Sequence, residues 1–437
     1  MIERSVLDKA LKRALELGAD EAEVYASVTH KREVKSEGRK LKAVSLSTVS
    51  ASVRVAVDKR VAIARATSLD EEVLLGAVEE AVSAARVSEK DEHWPGLPGP
   101  AEPLHGWIGY DEGIATLEPG YLVELAKYMI GEVDSLGRDL MVASVEASAH
   151  SGETLVMNTR GVDVSERGTG MVIMLELKKG EGTGFSFDVS RSLLGDIQVY
   201  GVIDEAARLT LDAARAEKLG ETFKGPVLFD PVTVAPLLNM ILSQAFNGEL
   251  VVEGYSPLAG KLGQHVLGSL TLYDDGTIPG ALGTSLYDAE GVPRRRTLLA
   301  EEGVVKGFLH NTYTAARMGT ESTGNASRGG RVGVSHSNLV VKPGRDSWET
   351  LEEAARIVAR GFLLSVHTVN YVTGNFSVVA SNPYLVRGGE EKPVKPVTLA
   401  GNFYELSPGI VPGRRVRHTY MAVATPPLLV DGVTVSG

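Results

Sequence analysis

The stretch Pro231–Glu249, PVTVAPLLNMILSQAFNGE, decides how the chain divides. Asp230, just before it, offers a side-chain oxygen to the first unbonded backbone N–H groups of a helix, and Pro231 occupies the first helical position, where an N–H is not needed. The pattern predicts a helix over 231–246. Met240 and Ile241 read as core contacts within it, Asn239 and Gln244 as hydrogen-bonding groups. The strand PVLFD leads into this helix, and strand-and-turn sequence rich in Gly, Pro, Asn and Asp follows it. One further helix is expected at 348–360, stopped by Gly361, and the last segment, TYMAVATPPLLVDGVTVSG, reads as β and returns to the sheet. Residues 222–437 are therefore expected to form a mostly β C-terminal domain.

Upstream the pattern differs. Val6, Leu7, Ala10, Leu11, Ala14 and Leu15 recur at helical spacing, and strands are expected at 21–30, 42–50 and 51–66. Ser68 with Glu71 forms a capping box for a helix running to about residue 85. The Pro/Gly-rich run 93–106, HWPGLPGPAEPLHG, can continue neither kind of element and reads as a linker. A helix near 121–132, strands at 141–149, 153–158, 168–177 and 184–190, and a long helix at 201–219 come next. The order helix, strands, helix thus occurs twice, in units 1–92 and 107–221, with no repeat visible in the residues themselves. The fold class expected is α+β: two such units building one mixed sheet, then the β domain.

Several runs carry a resemblance: the helix above, SPLAGKLGQHV (256–266), DDGTIPGALGTSLYDAEGVPRRRTLL (274–299), EEGVVKGFLHNTYTAARMGTESTGNASRGG (301–330), VTGNFS (372–377) and AGNFYEL (400–406). Together they are similar to the C-terminal domain of the PmbA/TldD family, also called modulators of DNA gyrase. The resemblance implies that the active branch would carry LLHExxxH on this helix, with two histidine zinc ligands and a glutamate that activates water. In the same frame stand Asn239, Met240 and Gln244. Carboxamides are poor zinc ligands, and a thioether cannot take a proton from water. The active branch also uses a cysteine near its C-terminus, and this chain has none. The resemblance therefore implies the PmbA/TldE-like branch, with no metal, no cofactor and no catalytic residue of its own. Histidines five apart lie about 140° apart around a helix, a demand that vanishes without a metal.

The family further implies a two-component metalloprotease. A TldD-like partner would supply the zinc, and the two chains would enclose a chamber for unfolded peptides held extended by main-chain hydrogen bonds. The stretch 274–293 resembles the metal-binding branch more than a bacterial PmbA, which leaves open whether the partner is TldD-like or a second copy. The segments STGNASRGG (322–330) and TGNFS (373–377) would line the cavity, with Thr323, Gly324, Asn325, Gly374 and Asn375 as candidate peptide contacts, because glycine admits a close backbone and asparagine can hold an amide. Tight turns alone remain the other reading. Two other functions stay open: a self-sufficient homodimeric peptidase or hydrolase with an unidentified site, and a binding protein that modulates gyrase.

Composition bounds these readings. A chain of 437 residues exceeds one ordinary core, and 43% hydrophobic with 23% charged residues is globular. No run is long and apolar enough to span a membrane, and the amphipathic start is not a signal peptide, so a cytoplasmic location is expected. A formal net charge of −11 disfavours nucleic acid as a partner. The basic clusters Arg294–Arg296, Arg328 with Arg331, and Arg414, Arg415 with Arg417 adjoin Gly or Pro and read as solvated turns. Only three glutamines occur, a hint of a thermophilic source. Nine histidines are scattered. His336 and His367 lie near Ser335, Ser337 and Ser365, but no GxSxG elbow accompanies them. Asp274, Asp275, Asp288 and Glu290 could bind a hard cation, yet DDGT and DAEG are ordinary turn sequences. GEGTGF (180–185) opens no helix and reads as a strand connection rather than a phosphate loop.

Overall fold

The computed structural model describes residues 2–37, 40–104, 106, 109–191 and 196–437. The first two units run α1 (Arg4–Glu16), β1 (Glu21–Glu37), β2 (Lys40–Val57), β3 (Arg60–Ala66), α2 (Glu71–Val87), then α3 (Glu112–Ala115), α4 (Pro119–Ser135), β4 (Met141–Asn158), β5 (Asp163–Lys179), β6 (Gly182–Ser190) and α5 (Val199–Ala214). Their strands join in one six-stranded sheet, ordered β3-β2-β1-β4-β5-β6. The two units share a sheet as expected, but every pairing in it is antiparallel, so it is not mixed. Hairpin links explain the pairings within each unit, since a parallel neighbour would need a crossover, and β1 and β4, which join the units through a long helical connection, are antiparallel as well.

The period of two along these strands divides the sheet into unlike faces. On one, Val24, Ala26 and Val34 of β1, Val53 and Val55 of β2, and Ile173, Leu175 and Leu177 of β5 are buried under helices. Helices α1 and α2 cover one end of that face through Leu7, Ala10, Leu74 and Val78. Helices α4 and α5 cover the other through Leu122, Met129, Val202 and Ala206. The intervening positions, among them Glu23, Tyr25, Arg54, His150 and Glu166, point to the opposite face.

The rest begins with β7 (Thr222–Phe229) and α6 (Pro231–Ala245). Asp230 caps α6 by accepting from Val232 N at 2.9 Å. The first eight residues of α6 are all buried, the mark of a helix enclosed on every side. It packs on strands Ile357–Leu364 and Val423–Thr425. Ile357–Leu364 pairs with both β7 and Asn375–Arg387, closing a ring through Val397–Asn402 and Leu428–Ser436. The C-terminal strand does return to the sheet, beside β7. A second sheet holds Leu272–Asp275, Arg296–Glu301 and Leu339–Val341.

Several local expectations change. The helix expected at 348–360 is only Trp348–Ala354, because Ile357, Val358 and Ala359 are buried as a strand between two neighbours. Gly361 does not stop a helix: it sits at φ +73° in the register break between Arg360 and Leu363. No capping box forms at Ser68, whose hydroxyl bonds Asp70 while α2 starts at Glu71. Strand β2 runs unbroken through residue 50 and turns at Asp58-Lys59, both at positive φ. The described part of 93–106 holds no helix or strand, yet it is tied down: Trp94 and Leu97 donate to Glu21, and Asn158 donates to Pro98 O. His105 and residues 107–108 lie outside the described residues.

Candidate functional site

On α6 the three positions expected to form a degenerate metal site differ in environment. Asn239 keeps a buried Oδ1 with no hydrogen-bond partner, and Met240 packs partly into the core around Leu237 and Ile241. Gln244, one turn on, is half-buried. A carboxamide oxygen, a thioether and a second carboxamide do not fit zinc, which takes imidazole, thiolate or carboxylate. Among the described residues no three His, Asp or Glu side chains are grouped to hold a metal ion. His336 bonds Met421 O and Ser337 bonds Asp274, so the serine–histidine arrangement drawn from sequence is not assembled.

The glycine-rich segments part company. Gly324 has φ +71°, and a Cβ there would lie 2.4 Å from Pro293 O. Asn325 is 1% exposed and donates both amide hydrogens internally, to Asp274 Oδ2 (2.7 Å) and Ser335 O (3.0 Å). Thr323 donates to Asn325 Oδ1 at 2.7 Å. These contacts anchor the turn and leave the Asn325 amide no donor for a peptide. Gly374, at φ +79°, abuts the Tyr404 ring, and the exposed Asn375 accepts from Asn402 Nδ2 at 2.9 Å. The next residues after Asn325, Ala326 to Arg328, line a cavity; Gly374 and Asn375 do not.

That cavity, of about 400 Å³, lies between the polar face of the six-stranded sheet and the C-terminal region. Glu166 of β5 reaches across it, accepting from Leu286 N at 2.8 Å. Burial pushes the Glu166 carboxyl up to about 7, against the pull of the Leu286 and Tyr287 backbone N–H groups. Asp288 is likewise raised to about 7 by burial and the neighbouring Glu290. Burial, then Arg191 and Lys31, lowers His150.

Beside the cavity runs a buried chain of charges, Arg328–Glu23–Arg54–Glu290. Arg54 donates to Glu23 and to Glu290 at 2.8 Å each, Arg328 also binds Glu23, and all four side chains are at most 4% exposed. Burial alone would raise Glu23, but Arg328 and Arg54 outweigh it and hold that carboxyl below the usual range. Glu290 also accepts from Thr312 N. Arg328 is thus no solvated turn residue: it fastens the STGNASRGG loop to the sheet. The acidic set is equally structural, with Asp288 accepting from Glu290, Val292 and Ala326 N–H groups inside the DAEG turn. Sequence reading missed this cluster, although charged residues at alternate positions of apolar strands, Glu23 and Arg54, were a signal of a buried polar face.

Matches to family models cover most of the chain: the PmbA/TldA metallopeptidase C-terminal domain at 222–437, the central domain at 112–214 and domain 1 at 22–85. The chain belongs to the PmbA/TldD family. It is 31% identical over 283 residues to MJ0231 of Methanocaldococcus jannaschii, 64% of this chain and 66% of that one. With the metalloprotease PmbA of Escherichia coli it shares 24% over 425 residues, 94% and 91% of the two chains. The fold matches TldE from Thermococcus kodakarensis with a TM-score of 0.89 and 28% identity, covering 99% of this chain and 100% of the other. The aligned stretch spans 57% of a Methanothermobacter thermautotrophicus metalloprotease, at 32% identity. No helix among the described residues is long and apolar enough to cross a membrane.

Proposed function

We propose that this chain is the non-catalytic, metal-free subunit of a two-component protease of the TldD/TldE kind. The observation that carries this reading is α6, where Asn239, Met240 and Gln244 replace the residues that would bind zinc and activate water. The absence of cysteine removes a further ligand of the active branch. The similarity to a TldE structure supports the same assignment. On this reading a TldD-like zinc subunit is the partner, unfolded peptide is the substrate of the assembled pair, and the cytoplasm is where it works. This chain completes the chamber and stabilises the active subunit. The test is to purify the chain alone and with a TldD-like partner and to follow cleavage of an unfolded peptide. The pair should cleave and lose activity with chelator, whereas this chain alone should be inert. Cleavage by this chain alone, unaffected by chelator, would instead favour a hydrolase with its own site.

A further inference from the structure

We propose that the cavity between the six-stranded sheet and the C-terminal region is a binding site for a small carboxylate, held by Arg294. The hollow is built into the strands. Gly152 of β4 and Gly168 of β5 face each other in the register, so neighbouring strands both lack side chains where the floor dips. A glycine inside a strand weakens it; here the pair leaves that stretch of wall without side chains, and a Cβ at Gly152 would also lie 3.0 Å from Val28 O of β1.

The wall chemistry names the ligand. Its carboxylates are already turned to backbone donors: Asp288 to three N–H groups, Glu166 to Leu286 N, and Glu153 to Ile2 N. Arg294 donates only to neutral oxygens, Ser285 Oγ (3.1 Å) and Gly324 O (2.8 Å). It has no ion pair among the described residues, and its second terminal nitrogen is left over. Because burial keeps Glu166 protonated to about pH 7, the wall carries less negative charge than its residues count. The remaining terminal nitrogen of Arg294 suits a carboxylate oxygen, whereas Arg191 and Arg328, which also line the cavity, are turned respectively to Gly109 O and Leu282 O and to Glu23 and Ala289 O. The hydroxyls of Thr29, Thr154 and Ser327 line the same space without hydrogen-bond partners among the described residues, ready for a polar backbone. A cavity of this size takes a ligand of tripeptide or small organic-acid dimensions. This inference rests on the cavity and not on the chain's place in a protease.

Isothermal titration calorimetry on the full chain tests it with three probes: tri-alanine, tri-alanine amide and glutarate. A carboxylate probe should bind at one site, with the amide weaker by about tenfold or more. Binding of tri-alanine alone identifies a peptide C-terminus, and binding of glutarate identifies small acids. R294Q should remove the preference for acid over amide, and T154F should block the cavity and abolish binding. If R294Q fails to fold, T154F and R294K, checked by thermal melting, carry the test. Equal binding of acid and amide, binding untouched by T154F, or no binding of any carboxylate probe overturns the proposal.

Discussion

Glu166 joins two regions of the molecule through a carboxyl that the fold would rather keep protonated. Unfolded, it releases its proton near pH 4.5; folded, it keeps it to about 7. The folded chain therefore binds more protons between those values, and this residue's contribution to stability falls as pH rises through that window. E166Q cannot ionise and can still accept from Leu286 N. Denaturant unfolding should show the two proteins equally stable near pH 4 and the variant more stable by roughly 3 kcal/mol at pH 8. The neighbouring charge chain behaves oppositely. R54M leaves Glu290 buried without its guanidinium and should cost about 3–5 kcal/mol, seen as an earlier unfolding midpoint. On α6, restoring N239H, M240E and Q244H together should still give no robust protease, because a catalytic zinc normally has three protein ligands and the cysteine is missing. Chelator-sensitive turnover by that triple variant would show the ligand set to be wrong.

At the scale of elements, Gly324 and Gly374 serve geometry. Both sit at positive φ and both would push a Cβ into a neighbour, Pro293 O in one case and the Tyr404 ring in the other. G324V should therefore destabilise folding by about 2 kcal/mol or more, read by thermal melting, before any effect on peptide processing can be assigned. A variant that folds normally yet fails in the assembled complex would favour a peptide-lining role. Elements with local signals were legible in the sequence: α1 from its spacing, α6 from Asp230 and Pro231, and the C-terminal strand from its alternation. Ile357–Leu364 was not, because Trp348–Arg360 has a helix start and no stop before Gly361, and burial beside β7 decides the outcome. The positions proposed as a degenerate site, Asn239, Met240 and Gln244, could be named from the sequence because that proposal depends on residue identity at fixed spacing. The cavity was not, since Arg294 meets Glu166 and Gly152, neighbours on the β4–β5 hairpin, only across more than a hundred residues.

The whole molecule is a sheet with one face under helices and the other, polar, face clasped by the C-terminal region through buried charges. Such an interface holds the regions in a fixed relation, since parting them would break the Arg54–Glu290 and Glu23–Arg328 pairs. Assembly with a TldD-like partner should bury well over about 1,000 Å² and be visible by size-exclusion chromatography with light scattering. A chain that stays monomeric at high concentration and forms no complex with such a partner contradicts the chamber reading. The central claim, that this family member carries no catalytic metal, is tested most directly by elemental analysis of the purified chain after zinc loading and dialysis. No stoichiometric zinc is predicted. Stoichiometric zinc that disappears on N239A or Q244A would contradict it.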